Sequence, residues 1–273
     1  MICIRVAFQG EIGAYSEEAA LKYFGNSIVT LPSRGLKDVF NAVETQKADY
    51  GIVPIENSIE GNITQTYDLL LNSNLNIVGE VIQRIVHCLI SSKNSYINHV
   101  KTVYSHPQAL GQCRDFLDRL ACEVMPTYDT AGSVKMIKEK HLKYSAAIAS
   151  ERSAQIYGME ILAKGIESNK NNFTRFFIIA KHEAKPTRND KTSIAFVTKH
   201  APSSLYTALK TFALGKINLT NIQSRPVLSK PWEYSFYVDC EGHKDGGHMK
   251  KALNNLNKVS SFVKILGSYP KGK

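Results

Sequence analysis

Between residues 168 and 181 the chain reads SNKNNFTRFFIIAK: a polar run passes through Thr174 and Arg175 straight into Phe176, Phe177, Ile178, Ile179 and Ala180. The apolar residues read as a buried strand, so a hydroxyl and a guanidinium stand at its mouth. Two other strand-like runs end the same way. Gly51 to Ile55 leads into Glu56-Asn57-Ser58, and Lys101 to Tyr104 leads into Ser105-His106-Pro107, where the proline suits a helix's first turn. Gln112 follows Ser105 by two helical turns, which brings both near one face. In a wound α/β sheet, ligands gather beyond the carboxyl ends of strands. The groups there are amide, hydroxyl and helix N-terminal donors, with few carboxylates and no cysteine or histidine cluster. Such a set suits a small anionic ligand held by neutral donors and one arginine. It does not suit a metal or a nucleophilic triad.

Structural roles compete with chemical ones at several of these positions. Asn57 and Ser58 serve equally well as caps. His106 is either a residue fixing a helix start or a catalytic group. Arg175 divides between substrate contact and support, because strand alternation points it opposite Thr174 once the strand has begun. The turn Gln9 to Ser16 (QGEIGAYS) carries glycines without the GxGxxG spacing, so no dinucleotide site is expected.

The elements that must position these residues follow from periodicity. Strands are expected at 4–8, 51–55, 75–82, 101–104, 146–149 and 176–180, with helices at 16–24, 35–45, 63–71, 107–120 and 131–139. Alternating strands and helices predict a mostly parallel sheet with helices on both faces. Residues 181–191 (KHEAKPTRNDK) lack periodicity and read as a linker. Beyond it the order is strand 192–198, helix 203–213, strands 217–225 and 234–240, helix 245–258 and strand 262–269. That βαββαβ order gives a ferredoxin-like sandwich.

Composition narrows the class. At 273 residues and 43% hydrophobic content, the chain can bury one large or two ordinary cores. No apolar run reaches the roughly 18 residues of a membrane span, and residues 1–10 lack a signal-peptide pattern, so a cytoplasmic protein without membrane contact is expected. The five cysteines are scattered and never spaced as CxxC; each is expected to be a small core residue. Residues 1 to 180 hold 18 Lys+Arg and 18 Asp+Glu, whereas residues 181 to 273 hold 16 and 6. The net charge of +10 therefore lies in the C-terminal third as single lysines, which reads as a solvated surface rather than a nucleic-acid patch.

The motifs GIVPIENSIEGNITQTYDLLL (51–71), YSHPQALGQC (104–113), NNFTRF (171–176) and LTNIQSRP (219–226) resemble, in order and over nearly the whole chain, the prephenate dehydratase family. The resemblance implies an α/β fold in two parts. Residues 1–182 would form a two-lobed, periplasmic-binding-protein-like catalytic domain, with its second lobe at roughly 78–163. A linker at 183–191 would lead to a ferredoxin-like ACT regulatory domain at 192–273. It implies a monofunctional lyase with no cofactor and no metal. The reaction turns prephenate into phenylpyruvate, water and carbon dioxide, with Thr174 as the catalytic group. Substrate-binding positions are Glu56, Asn57, Ser58, Ser105 and Gln112, with Arg175 beside them. The effector, L-phenylalanine, would meet Ser203, Ser204, Leu205, Asn221, Gln223, Ser224, Arg225 and Pro226. The family's ACT domains carry Gly-Ala-Leu and Glu-Ser-Arg-Pro where this chain has Ser203-Ser204-Leu205 and Gln223-Ser224-Arg225-Pro226. A homodimer or homotetramer is implied. Competing readings are arogenate as the substrate, a non-enzymatic amino-acid sensor, and nucleic-acid binding through the basic third.

Overall fold

The computed structural model of the protein describes residues 3–227 and 233–272. The chain opens with β1 (Ile4–Gln9), α1 (Tyr15–Phe24), β2 (Ile28–Ser33), α2 (Leu36–Glu44), β3 (Tyr50–Asn57), β4 (Gly61–Asn62), α3 (Thr64–Asn72) and β5 (Asn76–Arg84). A second series follows: β6 (Cys88–Ser91), a 3₁₀ turn at Ile97–His99, β7 (Thr102–Ser105), α4 (Pro107–Gln112), α5 (Arg114–Leu120), β8 (Glu123–Pro126), α6 (Thr130–Glu139), β9 (Ser145–Ala149), α7 (Glu151–Tyr157) and β10 (Glu160–Lys164). Then come β11 (Phe173–Ala180), β12 (Asp190–Thr198), α8 (Ser204–Leu214), β13 (Leu219–Pro226), β14 (Tyr234–Glu241), α9 (Gly247–Val259) and β15 (Ser260–Pro270).

The fold is mixed α/β, built on three sheets with strand orders β2-β1-β3-β11-β5, with β4 paired to β3; β10-β6-β9-β7-β8; and β13-β14-β12-β15. In the first, β1 runs parallel to β2, Ile4 facing Ile28 and Gln9 facing Ser33, and parallel to β3. In the second, β7 runs parallel to β8 and β9, while β6 lies antiparallel to β9 and β10. The third is antiparallel.

Alternation explains the apolar strands of the second sheet. Leu89, Ala146 and Ile148 pack in one core with Leu110 and Leu117, while Cys88, Ile90, Ala147 and Ala149 pack in another with Val134 and Ile137. Both faces are covered, so SAAIA in β9 is buried at every position. In the third sheet, Ile194, Phe196 and Val238 meet Phe212, Leu253 and Leu256 in a core of their own.

Compactness divides the chain into Met1–Gly61 with Ile82–Phe176, and Asn62–Val81 with Phe177–Lys273. The chain thus enters the second unit twice. Several elements depart from the periodicity reading. β2 is an edge strand holding Pro32, tolerated because an edge needs fewer ladder donors. β6, β8 and β10 are four or five residues long, too short for alternation to register. The expected single helix at 107–120 is two, broken at Cys113. β12 starts at Asp190, so Asp190 and Lys191, expected in a polar linker, are buried strand residues. Cys88, Cys113 and Cys240 are core residues and Cys122 packs at a core's edge, but Cys3 is exposed, correcting its expected burial. No helix of the described residues is long and apolar enough to cross a membrane.

Candidate active site

Thr174 is the second residue of β11 and is 8% exposed. β3 lies beside β11 and ends at Asn57, which is 4% exposed, and Asn57 Nδ2 lies 3.0 Å from Thr174 Oγ1. The amide's orientation is not arbitrary. Its Oδ1 accepts the backbone N–H groups of Ile59 at 2.9 Å and Glu60 at 3.0 Å, which leaves the nitrogen facing Thr174. The threonine oxygen therefore accepts from Asn57, and its own proton remains available to a ligand.

The same amide nitrogen donates to Asn172 Oδ1 at 2.9 Å, and Asn172 Nδ2 donates to Gln112 Oε1 at 2.8 Å. Gln112 comes from the last turn of α4, and its Nε2 lies 3.5 Å from Glu60 Oε1. His87 Nε2 is 2.9 Å from Gln112 Oε1, and His87 Nδ1 is 2.8 Å from the Tyr15 hydroxyl at the start of α1. Burial holds the His87 imidazole below its ordinary pKa, against smaller opposing effects of Gln112 and the Glu167 carboxylate. Burial likewise pushes the Tyr15 phenol well up.

Of the expected site residues, the structure brings Asn57, Gln112 and Thr174 together. Ser58 lies at the edge of this group: its hydroxyl donates to Asn171 O at 2.7 Å and accepts from Phe173 N at 2.9 Å, tying the loop before β11 to the end of β3. Ser105 does not join it. Its hydroxyl is fully buried and donates to Ile148 O at 2.6 Å, joining β7 to β9. Glu56 and Arg175 are one residue out of phase with Asn57 and Thr174, so pleating sends them to the other face. There they form an ion pair at 3.7 Å. His106 caps α4, its Nδ1 accepting from Gln108 N at 3.3 Å.

Sequence reasoning missed Asn172, His87 and Tyr15. Asn172 stood in view within SNKNNF, but nothing there distinguishes the inward asparagine from its neighbour. It also missed a cavity of about 280 Å³ at the carboxyl ends of β1 and β2, lined in part by Gln9, Tyr15, Ser16, Arg34, His106 and Tyr128. Arg34 follows β2, the strand that periodicity did not reveal. Tyr15 belongs to both the cavity and the amide network. α1 opens there without a side-chain cap. Gly13, in the turn before it, has φ +95, and a Cβ would lie 2.8 Å from Ser153 Oγ, so only glycine fits.

The expected effector positions fall in the second compact unit. Asn221 Nδ2 reaches the Tyr67 hydroxyl at 3.0 Å, Gln223 Oε1 accepts from Asn62 Nδ2 at 2.7 Å, and Arg225 pairs with Asp68 at 2.5 Å. Ser224 and Pro226, on the alternate positions of β13, are exposed. Ser203 precedes α8 with φ +66, Ser204 begins the helix, and Leu205 packs on the core beneath it.

A mixed α/β scaffold thus presents a hydroxyl backed by oriented amides at strand ends, an arrangement able to donate a hydrogen bond to a small molecule. The chain belongs to the prephenate dehydratase family, whose model matches residues 6–184, and it is a hydro-lyase of phenylalanine biosynthesis. It is 44% identical to a bifunctional chorismate mutase/prephenate dehydratase of Aquifex aeolicus, over 98% of this chain and 74% of that protein. It is 42% identical to arogenate dehydratase/prephenate dehydratase 2 of Arabidopsis thaliana, over 98% and 73%. The crystal structure of prephenate dehydratase from Arthrobacter aurescens in complex with L-Phe superimposes with a TM-score of 0.90 at 29% identity, covering 98% of this chain and 90% of that one.

Proposed function

We propose that Thr174 is the group at which the ring hydroxyl of prephenate departs. The observation that carries this reading is the Asn57 amide, whose orientation makes Thr174 Oγ1 an acceptor and keeps the threonine proton free. In the reaction, the bond between the ring and its carboxylate breaks and its electron pair becomes a ring double bond. Carbon dioxide leaves, and the hydroxyl departs with its own electrons and one proton as water. Aromatisation supplies the drive, so the protein must orient the substrate and assist the leaving oxygen. An alcohol is a weak acid; Thr174 donates a hydrogen bond that strengthens as charge develops on that oxygen, and solvent completes the proton count. Arg34 lines the cavity together with Glu11 and Asp129, and in this reading its guanidinium meets one of the substrate's carboxylates.

Thr174→Ala lowers kcat by roughly a hundredfold or more, with KM changing far less. Steady-state turnover of prephenate by the purified protein measures both; an unchanged kcat removes Thr174 from the mechanism. Arogenate belongs in the same assay, because the Arabidopsis relative carries both substrate names.

The regulatory reading extends this. Residues 1–182 form a periplasmic-binding-protein-like catalytic domain, and 192–273 an ACT domain that binds L-phenylalanine and inhibits the enzyme, a monofunctional cytoplasmic dehydratase working as a homodimer or homotetramer. The βαββαβ order and the Arthrobacter complex support it. Turnover falls as L-phenylalanine is titrated, with tyrosine and tryptophan weaker; a flat response to phenylalanine retires the regulatory reading.

A further inference from the structure

The direction fixed at Asn57 runs through three more side chains. Because Asn57 offers Nδ2 to Asn172, Asn172 must present Oδ1 there and Nδ2 to Gln112. Gln112 must then present Oε1, and the His87 nitrogen 2.9 Å away must carry a proton. In a neutral ring this leaves Nδ1 bare, an acceptor 2.8 Å from the Tyr15 hydroxyl, whose single proton is shared between it and Val86 O at 3.0 Å. The tautomer of a buried imidazole is thus dictated by two backbone N–H groups beyond Asn57.

We propose that His87 is a positioning residue for the dehydration: its Nε2–H holds the Gln112 amide in one orientation and, through Asn172 and Asn57, keeps the Thr174 hydroxyl proton free for the leaving group. This rests on the reading of Thr174 given above. The backbone around His87 is built to hold the ring still. Its N–H donates to Glu167 Oε2 at 3.0 Å, and its carbonyl accepts from Gly165 N at 2.8 Å and Ile166 N at 3.1 Å. The ring is 2% exposed and meets Tyr15 edge-on, with centroids 5.5 Å apart. Without the Nε2–H, the inward Gln112 oxygen keeps only the Asn172 amide as a donor and loses one of the two contacts that fix its orientation. Turning over, it would set its NH₂ against the NH₂ of Asn172, and Asn172 would have to turn as well. Asn57, pinned by Ile59 and Glu60, would then face a second donor instead of an acceptor, and Thr174 would lose the fixed partner that orients its proton.

Three variants separate positioning from mere packing. Glutamine can place a donor near the Nε2 position; asparagine reaches only the Nδ1 position, and leucine reaches neither. His87→Gln is expected to keep kcat within about threefold of the parent, while His87→Asn and His87→Leu lose roughly tenfold or more, with KM within about threefold throughout. A second measurement needs no variant: ¹⁵N shifts of the histidines in the intact enzyme should show one neutral ring protonated at Nε2, absent from the His87→Gln spectrum. Equal kcat for the glutamine and asparagine variants, or a ring protonated at Nδ1 alone, overturns the proposal. Thr174→Ala keeps the two readings apart. If it retains full kcat, the reading of Thr174 fails; if it loses kcat while His87→Asn does not, only the role of His87 fails.

Discussion

Keeping an imidazole neutral inside the protein has a consequence in acid. The folded-state pKa of His87 is depressed by burial, with the Gln112 contact and the Glu167 charge pulling the other way. The unfolded chain binds a proton near the ordinary value of 6.5 while the folded chain does not. Stability is therefore full above that value and declines as pH falls through it toward the folded pKa. Urea unfolding between pH 8 and pH 5 is expected to show this decline, and His87→Gln to flatten it; an unchanged slope would mean that other groups set the acid limit. Tyr15, whose phenol burial pushes well up, stays neutral throughout this range. At this scale Thr174 and Asn57 were legible because each sits at a strand end, and Gln112 because it follows Ser105 by two helical turns. His87 was not, since its partners are 25 and 72 positions away. Arg175 shows the converse: its type and place invited a role, and pleating turned it toward Glu56.

The start of α8 shows what a local departure costs. Ser203 has φ +66 and makes no side-chain cap bond, while its carbonyl accepts from Thr207 N and Thr207 Oγ1, each at 2.9 Å. A left-handed residue with a Cβ is strained. Ser203→Gly relieves that strain, offset in part by the freer unfolded chain, for a net gain of about 1 kcal/mol. Thermal unfolding should rise by about 2 °C, and a fall would mean the hydroxyl holds something that its geometry does not reveal. Elements with a clear period were legible, α2 and α9 among them. Short strands such as β6 were not, because four residues buried on both faces show neither alternation nor a boundary.

At the scale of the molecule, the second compact unit is drawn from two stretches separated by the whole of residues 82–176, and its ion pairs differ in weight. Lys191 Nζ lies 3.0 and 3.1 Å from the two Glu80 oxygens, with both side chains almost wholly buried, and Gly272 N donates to the same carboxylate. Arg225 and Asp68 are partly exposed. Hydrophobic patterning could not foresee the first pair, since a lysine at the end of a polar run reads as solvated until β12 carries it inside. Removing the lysine takes from a buried carboxylate the cation that faces both its oxygens, so Lys191→Met is expected to cost about 3 kcal/mol or more. Asp68→Asn, where solvent already screens the charge, costs about 1 kcal/mol or less. Replacing both partners, Glu80→Leu with Lys191→Met, recovers much of the loss, because no charge is then left stranded and apolar packing takes its place. Denaturant midpoints for the three variants and the parent decide the matter. If the double variant is no more stable than Lys191→Met alone, Glu80 holds the unit together chiefly through Gly272 rather than through its partner lysine.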